Sequence, residues 1–212
     1  MQMLDLMKER HSVRQYSDKK IEGDVKTKLD TYVASINEEV DYRCRYFIMN
    51  QIVLIPCWLI TESFQMLRII SRLSGKKKNR KKAGYYGEKL VLKCQELGLN
   101  TCWVALTHGK VNVQTKPQQK LLILIALGYG TNTGVAHKSK PIKELCKEDA
   151  YPEWFMKGME AVSLAPTAMN QQKFLFEMKM VKSMPSFDGF YSKIDLGIVK
   201  YHFEAVTGHE VR

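Results

Sequence analysis

Residues Leu121 to Leu127 read Leu-Leu-Ile-Leu-Ile-Ala-Leu, an unbroken apolar run closed by Gly128-Tyr129-Gly130. A strand with one wet face alternates apolar and polar residues, whereas a strand that is apolar throughout needs cover on both faces. The run thus requires a sheet with further structure packed against each side. The 212 residues are enough to bury one sizeable core, or two small intertwined ones.

Helices and further strands are legible on either side of it. Asp24 to Val40 carries an apolar stripe at Val25, Leu29, Tyr32, Val33 and Ile36, the spacing of a helix with one buried face. Tyr86 to Leu97 places Leu90, Val91, Cys94 and Leu97 on one face, and Gly98 suits its end. Thr101 to Leu106 reads as a strand. A helix is expected from about Pro152 to Leu164, with Trp154, Phe155, Gly158, Met159 and Val162 inward and Pro166 as its stop. Lys173 to Val181 alternates Phe174, Phe176, Met178 and Met180 with other residues, the period of a half-buried strand. A last helix fits Leu196 to Val206. Helices and strands mix along the whole chain with no clear linker, which predicts an α/β or α+β protein. There is also a faint echo: Gly87 leads to Gly98 at the interval that separates Gly197 from Gly208. Duplication and chance both account for it.

Charge and cysteine usage exclude several classes. The net charge is +11, but KKKNRKK at 76 to 82 supplies six of the positive charges and the remainder is about +5. No aromatic residue interleaves that run, and no helix-turn-helix or zinc-finger spacing accompanies it. It reads as a solvated loop, and no nucleic-acid partner is expected. The five cysteines form no C-x-x-C pair, so neither a disulfide framework nor a metal site is expected. Reduced thiols and an amino terminus too charged for a signal peptide point to the cytoplasm. The most apolar stretch, Tyr46 to Ile60, contains Asn50, Gln51 and Pro56 and is about five residues too short to span a bilayer. No membrane segment is expected.

Four segments can carry chemistry. Arg10-His11-Ser12-Val13-Arg14 offers two guanidinium groups, a hydroxyl and an imidazole for charge-assisted bonds to a phosphate. Ala165-Pro166-Thr167-Ala168-Met169-Asn170-Gln171-Gln172 crowds amides and a hydroxyl where a helix stops. Such groups can hydrogen-bond a flat heterocycle, and the same composition also suits a polar cap and loop. Gly98-Leu99-Asn100-Thr101-Cys102-Trp103 is a helix end feeding a strand. Its Cys102 has apolar neighbours and no nearby histidine, so it reads as a buried structural thiol. Gly128-Tyr129-Gly130 with His137-Lys138-Ser139-Lys140-Pro141 forms a second cationic cluster, suited to phosphate and also common as solvated loop.

Together the four segments resemble the FMN-dependent nitroreductase family. Its R-R/H-S-x-R opening is similar to Arg10, His11, Ser12 and Arg14; its A-P-S-x-x-N-x-Q-P-W stretch is similar to Pro166, Thr167, Asn170 and Gln172. Its G-L-G-T-C-W helix end resembles Gly98 to Trp103, with Asn100 for the middle glycine. Its closing G-Y-P and K-x-R-x-P-x-x-E resemble Gly128, Tyr129, Lys138, Lys140, Pro141 and Glu144. The order departs from the usual member, because Ala165 to Gln172 lies behind the Lys138-Ser139-Lys140 cluster. Asp195-Leu196-Gly197-Ile198 also resembles the start of the family's central helix, a role Tyr86 to Leu97 already fills. This order resembles a divergent branch from thermophilic and anaerobic bacteria in which one chain holds two half-related units.

The resemblance implies an α+β fold, a nitroreductase-like three-layer α/β/α sandwich with a mostly antiparallel sheet, permuted motif order and a possible internal pseudo-duplication. It implies one unit over 1–212, with possible intertwined halves about 1–145 and 146–212, as a homodimer or single-chain pseudo-dimer. It implies FMN as cofactor and NAD(P)H as reductant, with nitroaromatic- or quinone-type acceptors reduced in two hydride steps. Arg10, His11, Ser12, Arg14, Thr101, Lys138, Ser139, Lys140, Pro166, Thr167, Asn170 and Gln172 would bind the cofactor, and no protein nucleophile is needed. The alternative is a flavin carrier or sensor without turnover.

Between about Asn50 and Gly75 the resemblance vanishes, and the family's Asn-Tyr-Ile flavin contact is missing. Codons for Phe64 to Gly75, read two bases later with suitable synonymous choices, give SNVKNYIALVG, which restores it. The adenine-rich lysine codons of 76 to 82 are a natural place for a slipped frame to recover. Simple divergence is the alternative.

Overall fold

The computed structural model describes residues 2–40, 44–49, 65–72, 78–104, 119–146, 151–178, 180–183 and 192–211. The chain divides into two compact units that exchange segments. One comprises Met1–Glu9, Arg80–Lys89 and Ala136–Arg212; the other comprises Arg10–Asn79 and Leu90–Val135. They are called here the helical unit and the sheet unit.

The sheet unit opens with α2 (Gly23–Glu39), the first element being α1 (Met3–Glu9) of the helical unit. The stripe read from the sequence is the buried one: Leu29, Val33 and Ile36 face inward. The strands β1 (Cys44–Met49), β2 (Gln65–Arg72), β3 (Asn100–Val104) and β4 (Gln119–Gly128) form one sheet in the order β1-β2-β4-β3. Every pairing is antiparallel, with a register shift at Ile69/Ile70 where β2 meets β4. β4 is an inner strand, and Ile123 to Leu127 are buried without interruption. That is the two-sided burial its composition requires. Residues 105 and 106 of the expected strand lie outside the described residues. So do 50–64 and 73–75 of the stretch where the resemblance lapses, and 76 and 77 of the basic run.

The helix α3 (Lys78–Glu96) contributes to both units. It begins well before the expected Tyr86, and this corrects the reading of the basic run as a loop. Lys78 to Lys82 form its first turns, and Lys and Arg are good helix formers with long apolar stems. Lys81 is half-buried, and burial with Lys200 nearby lowers its pKa. At the other end Gly98 takes a left-handed φ of 76°, and Leu99 N–H returns to Cys94 O at 2.8 Å. That is a glycine-terminated helix end.

The helical unit adds α4 (Glu153–Ser163), the hairpin of β5 (Phe174–Glu177) and β6 (Met180–Ser183), and α5 (Ser192–Thr207). Two expectations need correction. The alternating run from Lys173 does not continue as one strand: Phe174 and Phe176 are buried, but the chain turns at Met178, which is 40% exposed. Trp154 is half-buried rather than inward; its indole stacks on His209 with ring centroids 3.9 Å apart. The core is aromatic, with Phe203 against Phe155 and Phe176 at centroid distances of 5.4 and 5.1 Å. Glycines set one close approach. A Cβ on Gly84 would run into the Ile194 carbonyl, and one on Gly197 would run into the Lys81 carbonyl. The first part of α3 and the start of α5 therefore cross backbone against backbone. The crossing uses Gly84, not the Gly87 of the sequence echo. Among the described residues no helix is long and apolar enough to cross a membrane.

Candidate functional site

Two of the four segments and the Gly128-Tyr129-Gly130 half of the fourth come together within the sheet unit. β3 lies at the edge of the sheet, and the chain from Arg10 to Arg14 runs along it: Ser12 bridges Thr101 in parallel, and Val13 N–H donates to Thr101 O at 3.0 Å. Thr101 is buried and serves this junction through its backbone. Arg10 is only 3% exposed, Arg14 is exposed, and His11 and Ser12 lie between. His11 Nδ1 is 3.2 Å from Thr133 O. Both guanidinium groups act on Cys102. Burial pushes its thiol up, while Arg14, Arg10 and a hydrogen bond with Ser12 pull it back down. The thiol is 5% exposed, and Cys94 and Cys146 are likewise free and buried.

The Gly128-Tyr129-Gly130 break joins the same assembly. Tyr16 bridges Gly130, Ser17 N–H donates to Tyr129 O at 2.7 Å, and the buried Tyr16 hydroxyl donates to Val13 O at 2.6 Å. Asn100, where the family pattern has glycine, has a specific task. Its Oδ1 accepts the Gly130 N–H at 3.0 Å, and a Cβ at Gly130 would lie 2.7 Å from that oxygen.

The helical unit assembles the other two pieces, the turn after α4 and the His137 to Lys140 segment. Gln172 joins them and is only 1% exposed. Its Oε1 accepts the Lys140 N–H at 2.7 Å, and its carbonyl accepts from Lys140 Nζ at 3.3 Å. Its Nε2 donates to Lys138 O at 3.3 Å and to Asn170 Oδ1 at 3.1 Å. Asn170 Nδ2 donates to the same Lys138 carbonyl at 2.8 Å, and Ser139 Oγ donates to Ser163 O at 2.7 Å. Thr167 Oγ1 accepts the Gln172 N–H at 3.0 Å, which closes the turn that begins at the half-buried Pro166. Lys138 and Ser139 remain exposed.

The turn is strained. Met169, Asn170 and Gln172 have φ of 51°, 53° and 46°. Asparagine tolerates the left-handed region; methionine and glutamine do so at about 1–2 kcal/mol each. Met169 is also 88% exposed, an apolar side chain at the apex of the turn. Tertiary bonds must hold such a conformation, and strain of this kind concentrates at binding sites. One of those bonds comes from α5: Asp195 Oδ1 accepts the Ala168 N–H at 3.1 Å. Burial pushes the Asp195 carboxyl up to about 7, with the Ala168 amide acting in the opposite sense. Sequence reading placed Asp195 only as a helix start; nothing local links it to residue 168.

Among the described residues no group of histidine, cysteine, aspartate or glutamate could hold a metal ion. A family model described as "Putative TM nitroreductase" matches residues 2–207. Solved structures share the fold. The protein described as a putative nitroreductase from Thermotoga maritima superposes with a TM-score of 0.64 at 21% identity, over 97% of this chain and 83% of that one. A second protein so described, from Desulfovibrio desulfuricans and solved in complex with FMN, gives 0.54 at 16% identity over 71% and 98%. A nitroreductase family protein from Clostridium difficile gives 0.52 at 15% over 71% and 100%. No curated protein matches the chain. The fold is thus α+β and nitroreductase-like, helices with a small antiparallel sheet. The chain belongs to this nitroreductase family, whose members are oxidoreductases.

Proposed function

We propose that the chain is an FMN-dependent oxidoreductase that takes electrons from NAD(P)H and delivers them to nitroaromatic- or quinone-type acceptors. The observation that carries this reading is the Gln172 network, which fastens the amide-bearing turn to the Lys138-Ser139-Lys140 segment within one unit. Family membership and the FMN named for the Desulfovibrio structure support it.

The residues present fit such a cofactor. Neither Arg10 to Arg14 nor His137 to Lys140 contains a carboxylate, and Arg14 and Lys138 are exposed cations, as a phosphate requires. In the turn, Gln171 Oε1 is buried with no donor among the described residues, so an acceptor is open to a heterocycle N–H. Arg10, His11, Ser12, Arg14, Lys138, Ser139 and Lys140 would hold the phosphate and ribityl chain. Pro166, Thr167, Asn170 and Gln172 would hold the ring, and Thr101 would fix the arginine segment to the sheet edge. Bound FMN would supply the hydride chemistry. The protein's share is to orient the ring, stabilise negative charge beside it with amide and hydroxyl dipoles, and keep the phosphate neutralised.

In this reading NAD(P)H and acceptor use one site in turn, in the cytoplasm, and the assembly is a homodimer or a single-chain pseudo-dimer. The close crossing at Gly84 and Gly197 supports the single-chain form, since it joins two helices that both resemble the family's central one. The test is an anaerobic titration. The purified chain should carry or take up FMN and bleach when NADH or NADPH is added. A yellow protein that stays yellow would leave only a flavin binder, and a colourless protein that refuses FMN would end the reading.

A further inference from the structure

Three residues of the turn after α4 sit in the left-handed region, and the bonds that hold them come from two directions. Most arise within the turn or from the Lys138–Lys140 backbone beside it. Asp195, in the first turn of α5, supplies a bond from a different element: its Oδ1 takes the Ala168 N–H. Ala168 immediately precedes Met169 and Asn170, so fixing its amide fixes the peptide that leads into the strained pair. We propose that Asp195 is a positioning residue for the cofactor turn, holding Ala168 so that Asn170 and Gln172 are presented in the geometry that receives the ring. This rests on the flavin reading above.

The chemistry favours that role over a merely structural one. An acid in the first turn of a helix is favoured by the helix dipole and commonly caps its own backbone. Here the oxygen is given to a distant segment instead. Among the described residues no cation pairs with the Asp195 carboxyl, so none of them compensates its burial with an ion pair. A half-buried carboxyl held at that cost does little for stability, while its bond falls on the backbone that sets the turn.

The experiment compares full-length wild type with Asp195→Asn, which keeps an oxygen acceptor of the same shape, and Asp195→Leu, which keeps bulk and has none. FMN affinity is measured by quenching of flavin fluorescence, and the Ala168 amide is followed by NMR against pH in FMN-free protein. The Ala168 shift should titrate in wild type and stay flat in Asp195→Asn. Asp195→Asn should bind FMN within about threefold of wild type, and Asp195→Leu about tenfold or more weakly, as expected for a lost hydrogen-bond acceptor. An Ala168 amide indifferent to pH, or equal affinity in all three proteins, would overturn the proposal. If Asp195→Leu does not fold, the Ala168 titration and its loss in Asp195→Asn decide. If wild type binds no FMN at any pH, the flavin reading fails on its own, and the Ala168 shift still shows whether Asp195 governs the turn.

Discussion

Glu88 of α3 and His202 of α5 meet inside the helical unit, Oε1 to Nε2 at 2.9 Å, and neither side chain exposes any surface. The other imidazole nitrogen lies 2.8 Å from the Ala161 carbonyl of α4. A carbonyl can only accept, so Nδ1 carries a hydrogen, and one further proton lies on the line between Nε2 and the carboxyl. The pair ties three helices together.

Removing one partner takes a hydrogen bond from a polar side chain buried in the core. Glu88→Ala or His202→Ala should each cost roughly 3–5 kcal/mol of stability, read from urea unfolding. Replacing both with apolar residues of similar volume should cost far less than the sum of the single changes. A double variant as unstable as that sum would mean the two residues act independently.

The helix crossing reverses the usual sign of a substitution. Within an exposed helix Gly→Ala gains about 1 kcal/mol. At Gly84 and Gly197 the added methyl meets a carbonyl of the other helix, which cannot move as a side-chain tip would. Gly84→Ala and Gly197→Ala should each destabilise by about 1–3 kcal/mol or more, seen as a lowered Tm. Gly98→Ala meets nothing within 4 Å and should cost only about 1 kcal/mol, for its left-handed backbone.

Asp195 also makes a prediction about pH. Its folded pKa, raised to about 7 from 3.8, means the native state binds the proton more tightly than the unfolded chain. Stability from this group is present below the unfolded pKa and falls as pH rises from 3.8 to about 7, levelling off above. Asp195→Asn cannot lose a proton. Its stability relative to wild type should grow across that interval and then stay constant, which denaturant titrations at several pH values will show. A constant difference would rule out a raised carboxyl.

A fourth expectation concerns the gene. Sequencing the DNA across codons 45 to 85 should reveal, in the frame two bases later, the string SNVKNYIALVG. An intact frame without it would end the frame-slip proposal.

The parts of this molecule that depend on local pattern were legible. The unbroken apolar run of β4, the stripes of α2 and α4 and the glycine after α3 all answer to neighbours within a few residues. The single strand expected from Lys173 failed because alternation looks the same in one strand and in both arms of a hairpin; only the exposure of Met178 reveals the turn. The basic run was misread because charge density masks the helix propensity of lysine. α1 was missed because its seven residues are too few to show a period. In the candidate site, the residue types were visible, but their conformations were not: no rule points to Met169 or Gln172 as left-handed. The Asp195–Ala168 and Glu88–His202 contacts join distant positions, which periodicity cannot report.

The exchange of segments between the units bears on how the chain is made. Lys8 of α1 pairs with Glu160 of α4 at 2.8 Å, so α1 belongs with segments that lie beyond the whole sheet unit in sequence. The helical unit cannot close until Ala136–Arg212 has been made, so α1 stays unpartnered within this unit while the sheet unit is synthesised. No single proteolytic cut or gene truncation separates the units intact, and a fragment ending before α5 leaves that first helix without its home.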